Sequence, residues 1–479
     1  MDTPSPLPVV TSNTVLESES PTIPPEQKVQ TEYTAALDIN VKERKILGVE
    51  KIQCMNSTDA TFSEIYMNVF LNAFSAYSPQ NPVSQEASRK VYRYGEDYGY
   101  MTIGEVFANS EEAEYELNDT VLKIILPQEL RPGENVEIKL DFEGYIPMIN
   151  ARTGSNGIDM WCGNLLPTLA VYDKNGWHTD PYYSLGDPFY TRSANFSVSI
   201  TTPIEYVVVG TGTSTYSERL EKKTTTFAAK LVRDFAFAIS SRYKSKSITT
   251  STGVDIDLYT FSEPRNYDEI LSVAEKSMDY FGEMVGAYPY PQLVLVEAGL
   301  PYYNGMEYPE VIFLDSDFLN EASDYTPVAH EIGHQWFYNI IGSNQISNAW
   351  MDEGMTMFMQ EGIFKSDAEI DETARAEYEA LKESIEEISP SWLDASLAVY
   401  SRWSDYYNVQ YMRGKLMFYA LKKKIGEEKF NAFIKDYYQK YSFKIASPQD
   451  LMETAENAAG LSLEGFFGEW MSSQALPPL

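Results

Sequence analysis

His330-Glu331-Ile332-Gly333-His334-Gln335-Trp336-Phe337 holds two of the three histidines in a chain of 479 residues, four apart around a carboxylate. On an α-helix each residue turns the chain by about 100°, so side chains 330, 331 and 334 fan out near 0°, 100° and 40° and face one way. The imidazoles then stand one turn apart, with roughly 5–6 Å between their β-carbons. That spacing suits two nitrogen ligands on one metal ion, with Glu331 beside it and free to move a proton. Two histidines packed in an amphipathic core helix would show the same five-residue pattern, so the neighbouring sequence has to decide.

Thr326 can serve as N-cap, with Pro327 at the first helical position, where its missing N–H costs nothing. The run continues through Val328, Ala329, Ile332, Trp336 and Phe337, a helix with one apolar side. Eighteen residues separate His334 from Glu353 in Trp350-Met351-Asp352-Glu353-Gly354. They suffice for the rest of this helix, a loop at 342–347 and the start of a second helix packed against it. Two histidines and one carboxylate make three protein ligands and leave a fourth position open, the pattern of a catalytic zinc site. A closed, cysteine-rich structural site is excluded, since the only cysteines are Cys54 and Cys162. By position alone Asp352 rivals Glu353 as third ligand. A hydroxyl to stabilise developing charge can come from Tyr411, in Gln410-Tyr411-Met412-Arg413-Gly414, with Tyr406 and Tyr407 as alternatives. His178, in Asn175-Gly176-Trp177-His178-Thr179-Asp180, reads as a hydrogen-bonded turn residue.

From about residue 30 to 239 the hydrophobic period is mostly two. Leu37, Ile39 and Val41 alternate, as do Val136, Ile138, Leu140 and Phe142, with turn signals at Pro132-Gly133 and Asn175-Gly176 between such runs. This predicts a large, mainly antiparallel β domain. A Ser/Thr/Lys-rich stretch, 244–252, reads as a hinge. Beyond it the first clear helical pattern carries Ile270, Val273, Ala274, Met278, Phe281 and Val285. Short strands at 293–296 and 311–314 flank Gly305-Met306-Glu307, and helices dominate from His330 onward. The order predicts an α+β chain: residues 28–245 a β domain, 246–479 a catalytic domain of thermolysin type.

The net charge of −33, from 37 Lys+Arg against 70 Asp+Glu, disfavours nucleic acid and anionic membranes as partners. No run approaches the roughly twenty apolar residues of a membrane span, and no secretory signal stands at the start. Residues 1–27 carry six prolines among Ser, Thr and Glu and read as a flexible tail. Such a tail fits a chain trimmed of an export or anchor segment, which would place it outside the cytoplasm; a ragged cytoplasmic terminus fits too. Two cysteines allow one bridge or none.

Taken together, the motifs resemble those of the gluzincin aminopeptidases, the family of aminopeptidase N and leukotriene-A hydrolase. The resemblance rests on the 330–337 stretch, on Trp350-Met351-Asp352-Glu353-Gly354 at the family's eighteen-residue gap, on Gly305-Met306-Glu307 and on Tyr411-Met412-Arg413-Gly414. It implies a saddle-like N-terminal β domain, one Zn2+ held by His330, His334 and Glu353, and peptide or protein substrates. Glu331 would be general base and then acid, and Tyr411 the oxyanion stabiliser. Gly305 and Met306 would run along the substrate, while Glu307 would hold its free α-ammonium. Two departures stand out: Tyr308-Pro309 where the family has Asn, and no acid in Trp161-Cys162-Gly163-Asn164-Leu165-Leu166-Pro167, where the N-terminal domain usually adds one. They leave two alternatives open, a zinc peptidase that also cuts internally and a binding protein on the same fold. Larger members add a further domain that roofs the site, so a chain ending at Leu479 implies a more open cleft. Tyr302, Tyr303 and Met306 are the pocket walls the sequence suggests.

Overall fold

The computed structural model describes residues 30–79, 82–263, 266–300 and 303–479; the 1–27 tail and Tyr302 lie outside them. The first half is built on an eight-stranded sheet. At its centre Thr31–Asn40 pairs antiparallel with Lys45–Met55 and parallel with Ala194–Pro203. The two-residue period does what it predicts. Along Asn135–Tyr145, Val136, Ile138, Leu140 and Phe142 are buried, while the residues between them lean outward. Glu50 breaks the pattern, fully buried on the inner face with neither carboxylate oxygen partnered among the described residues. Burial pushes its pKa well above the usual carboxylate range and so favours its neutral form. Cys54 and Cys162 are both free thiols.

The second half begins earlier than the composition suggests. The stretch read as a hinge forms the strand Lys244–Thr249, at the edge of a five-stranded sheet. Its residues are exposed apart from a half-buried Ile248, so a solvated edge strand has the composition of a linker. Asp255–Thr260, Gln292–Ala298 and Val311–Asp315 run parallel, and Gly305–Met306 closes the other edge antiparallel to the last of them. The helix Tyr267–Met284 makes the crossover between the first two parallel strands. It buries Ile270, Leu271, Ala274, Met278 and Phe281, and Phe281 stacks on Trp336 with ring centroids 5.4 Å apart.

The helix Thr326–Gly333 packs between this crossover helix and the sheet. Its start departs from the sequence reading: Tyr325 precedes it, and Thr326 is already helical. Asp324 does the terminal work instead, accepting from both the Thr326 N–H (2.9 Å) and its hydroxyl (2.6 Å). One apolar core joins the two halves: Trp161, Val209, Ala236 and Ala238 from the first meet Val294, Val296, Met306, Tyr308 and Phe313 from the second. No helix among the described residues is long and apolar enough to cross a membrane.

Candidate active site

The two imidazoles and the first residue of the helix Glu353–Met359 converge on one point. His330 Nε2 and His334 Nε2 lie 3.1 Å apart, and each is 3.2 Å from Glu353 Oε2. The outer ring nitrogens are engaged by acceptors. His330 Nδ1 donates to Gln360 Oε1 at 2.9 Å, and His334 Nδ1 donates to the Phe337 carbonyl at 3.0 Å. Each contact places the ring proton on Nδ1 and turns the Nε2 lone pair inward. Two lone pairs and a carboxylate oxygen then face one another, an arrangement that only a cation relieves. The triangle also has the right size, since a tetrahedral zinc with ligands at about 2.0–2.1 Å has edges of about 3.3–3.4 Å. The donor set fits a dication. Asp352 is turned away, accepting from the Glu353 N–H (2.8 Å) and from Gln345 Nε2 (2.9 Å). Burial works against the Glu353 charge, yet His334 and His330 hold its carboxyl well below the usual range.

The other sequence-predicted residues close round the same pocket, a cavity of about 420 Å³. Tyr411 donates its hydroxyl to Glu353 Oε1 at 2.5 Å. Its ring stacks on Tyr407 at 5.1 Å and meets Trp403 edge-on at 5.8 Å. Tyr406, the rival hydroxyl, is fully buried and does not line the pocket. Glu331 is buried, and its pKa is raised well above normal by burial first and then by the charge of Glu307. Gly305 is needed opposite it, because a β-carbon there would sit 2.3 Å from Glu331 Cγ. Glu307 stands at the apex of a tight turn, with the Tyr308 N–H bonded to the Met306 carbonyl at 3.1 Å. Burial, then Asp187, lift its carboxyl to about 7.

Asp187 is the residue the sequence did not disclose. Its carboxylate, with those of Glu307 and Glu353, forms a cluster in which one oxygen from each lies within 4.8 Å of the others. Arg152 holds it through a buried ion pair and also donates to the Gly186 carbonyl at 2.9 Å. An acid on a later loop thus reaches the pocket where segment 161–167 offers none. Gln360 also escaped notice, although it lies two helical turns beyond Glu353 and so faces the same way. His178 stays apart, pairing with Asp173 at 2.9 Å and Asp180 at 3.7 Å.

Two imidazoles and a glutamate on the flank of a mixed sheet, completed by a carboxylate from the helix Glu353–Met359, form a donor set that could hold one metal ion behind a β domain. Residues 270–470 match the family model for the Peptidase family M1 domain. Leucine aminopeptidase 2 of Neurospora crassa is 24% identical over 392 residues, covering 75% of this chain and 56% of that protein. Endoplasmic reticulum aminopeptidase 2 of Homo sapiens is 26% identical over 378 residues, 70% of this chain and 37% of that one. The chain thus spans about half the length of such curated relatives, or less. Its fold matches the M1 zinc metallopeptidase of Deinococcus radiodurans over 96% of this chain and 98% of that one, with a TM-score of 0.68 and 16% identity. A mutant of that protein, described as bound to a Tyr-Ser-Ala substrate, matches with a TM-score of 0.67 at 17% identity, over 94% of this chain and 95% of that one.

Proposed function

We propose that the chain is a zinc-dependent aminopeptidase that removes N-terminal residues from peptides, with a β domain that ends just before the strand Lys244–Thr249 and a catalytic domain that begins with it. The observation that carries this reading is the inward convergence of His330 Nε2, His334 Nε2 and Glu353 Oε2 at 3.1–3.2 Å, beside a buried glutamate and a tyrosine hydroxyl. When bound there, zinc supplies a Lewis acid that polarises a carbonyl and lowers the pKa of water to about 7. Glu331 takes the proton of the attacking water on its carboxylate and returns it to the leaving amine. Its burial favours the protonated form and so eases the uptake. A general acid–base group of this kind contributes roughly 10²–10⁴ in rate.

The Tyr411 hydroxyl, held by Glu353 Oε1, swings its donation to the substrate carbonyl oxygen as charge develops there. Gly305 and Met306 present a sheet edge along which a peptide backbone can lie. The carboxylates of Glu307 and Asp187 receive the α-ammonium, which supports exopeptidase action over internal cutting.

Glu331→Gln tests the chemistry: zinc stays at one equivalent while turnover collapses, and undiminished turnover removes Glu331 from the role of base. A peptide offered with free and with Nα-acetylated amino terminus tests end preference. Equal cleavage of the two overturns the aminopeptidase reading in favour of an endopeptidase.

A further inference from the structure

The two positions that depart from the family motifs touch each other. The Tyr308 hydroxyl donates to Asn164 Oδ1 at 2.9 Å across the junction between the halves. Asn164 in turn donates through Nδ2 to Asp234, whose other oxygen accepts the Phe235 N–H at 2.7 Å. All three side chains are buried. The approach is close enough to require glycine at the neighbouring position, since a β-carbon at Gly163 would fall 1.9 Å from the Tyr308 oxygen. Asn164 itself has φ +54°, a left-handed conformation that Asn tolerates better than most residues.

The same loop is tied to the acid across the pocket. The Gly163 N–H donates to the Arg152 carbonyl at 3.0 Å, and Arg152 holds Asp187. On the other side Gln335, next to the metal-helix histidine, donates Nε2 to the Tyr308 carbonyl at 3.1 Å and accepts the Glu310 N–H at 3.0 Å. The turn carrying Glu307 is therefore fastened at Tyr308 to two bodies: by its backbone to the metal helix, by its side chain to the loop that positions Asp187.

From this we infer that Tyr308, acting through Asn164 and Asp234, is a positioning residue that sets the separation of Glu307 and Asp187 and so tunes recognition of the substrate α-ammonium. The inference rests on the assignment of Glu307 and Asp187 to that ammonium. It gives the Asn-to-Tyr departure a physical role: the side chain docks into the β domain and fixes the amine pocket from behind.

Tyr308→Phe removes one oxygen, keeps the ring against Phe313 and leaves Asn164 bonded to Asp234. It raises KM for a free-amine peptide by about three- to tenfold with kcat held, the loss expected from one buried hydrogen bond acting on ground-state binding. Cleavage of the Nα-acetylated peptide and the zinc content stay unchanged, so the preference for a free amine shrinks. Asp234→Asn, which keeps an oxygen for Asn164 to donate to, gives a smaller rise. A Tyr308→Phe enzyme that is less heat-stable but has an unaltered KM overturns the inference, because that is what a purely structural contact does. Glu307→Gln, run alongside, separates the two failures. If it abolishes the amine preference while Tyr308→Phe does not alter it, the positioning role falls and the ammonium assignment stands. If Glu307→Gln leaves the preference intact, the assignment itself is wrong.

Discussion

Gln360 offers a direct test of how the imidazoles are oriented. Its Oε1 is the acceptor for His330 Nδ1 at 2.9 Å, and both residues are at least largely buried. Replacing Gln360 by Leu keeps the volume and deletes the acceptor. Two losses follow. The hydrogen bond contributes about 0.5–1.5 kcal/mol. Without it the ring proton is also free to settle on Nε2, so metal must compete with the wrong tautomer. Losing an outer partner of a metal-binding histidine typically costs 10–100-fold in affinity, or about 1.4–2.7 kcal/mol. His334 gives the internal comparison, because its Nδ1 partner is the Phe337 carbonyl and survives any side-chain change at 360. Zinc affinity measured by competition with a chromophoric chelator should fall by about 10–100-fold for Gln360→Leu. Gln360→Glu, which supplies a stronger acceptor, should bind zinc at least as tightly as the parent. Equal affinity of the Leu variant and the parent refutes the orientation argument.

Tyr411→Phe should lower kcat by about 10²–10³ with zinc stoichiometry intact, read by steady-state kinetics and metal analysis on one preparation. Arg233, buried at the junction, donates to the carbonyls of Tyr338 (2.6 Å), Thr191 (3.0 Å) and Ile340 (3.4 Å), and to that of Lys444. Arg233→Met orphans these four oxygens at about 1 kcal/mol apiece, so the urea midpoint should drop by the equivalent of about 4 kcal/mol. Glu310 is buried, and that burial lifts its carboxyl from 4.5 to about 8. The folded protein therefore holds a proton there that the unfolded chain releases above about pH 4.5. The stabilisation is complete below that pH and is lost as pH rises through 8, at up to about 1.4 kcal/mol per pH unit. Glu310→Gln should flatten this decline in denaturant titrations between pH 5 and 8.

What the sequence disclosed follows the range of the interactions involved. His330, Glu331 and His334 lie about one helical turn apart, so helix periodicity brought them together, whereas Glu353 was separated from Asp352 only by the resemblance. The alternating burial of Asn135–Tyr145 is equally local. Asp187 was out of reach because what places it in the pocket is Arg152, 35 residues away, and a carboxylate cluster completed by Glu307 and Glu353. Tyr308 read as a departure from a motif because its partner, Asn164, lies 144 residues earlier. The stretch 244–252 misled for a different reason. An edge strand with nearly every side chain in water carries no period-two signal at all. Gln360, by contrast, was legible in principle, two turns along the helix that Glu353 opens.

The charge around the pocket gives the proposed amine preference a cause deeper than any single contact. Asp187, Glu307, Glu331 and Glu353 are all buried, and all line a cavity to which the described residues contribute no lysine or arginine. Arg152, behind Asp187, answers one of the four negative charges. A dication at the imidazoles answers two more. One remains, and burying an unmatched carboxylate is expensive: burial first, and then the charge of Asp187, push Glu307 up to about 7 even before any metal is counted. A substrate α-ammonium brings the missing positive charge, whereas an acetylated terminus or the interior of a longer peptide brings none. Selectivity for a free amine, on this reading, draws on neutrality in a low-dielectric pocket as well as on the spacing of its carboxylates. On this argument Glu307→Gln removes the surplus charge along with the contact, so its acetylated and free substrates should converge in kcat/KM instead of both being lost.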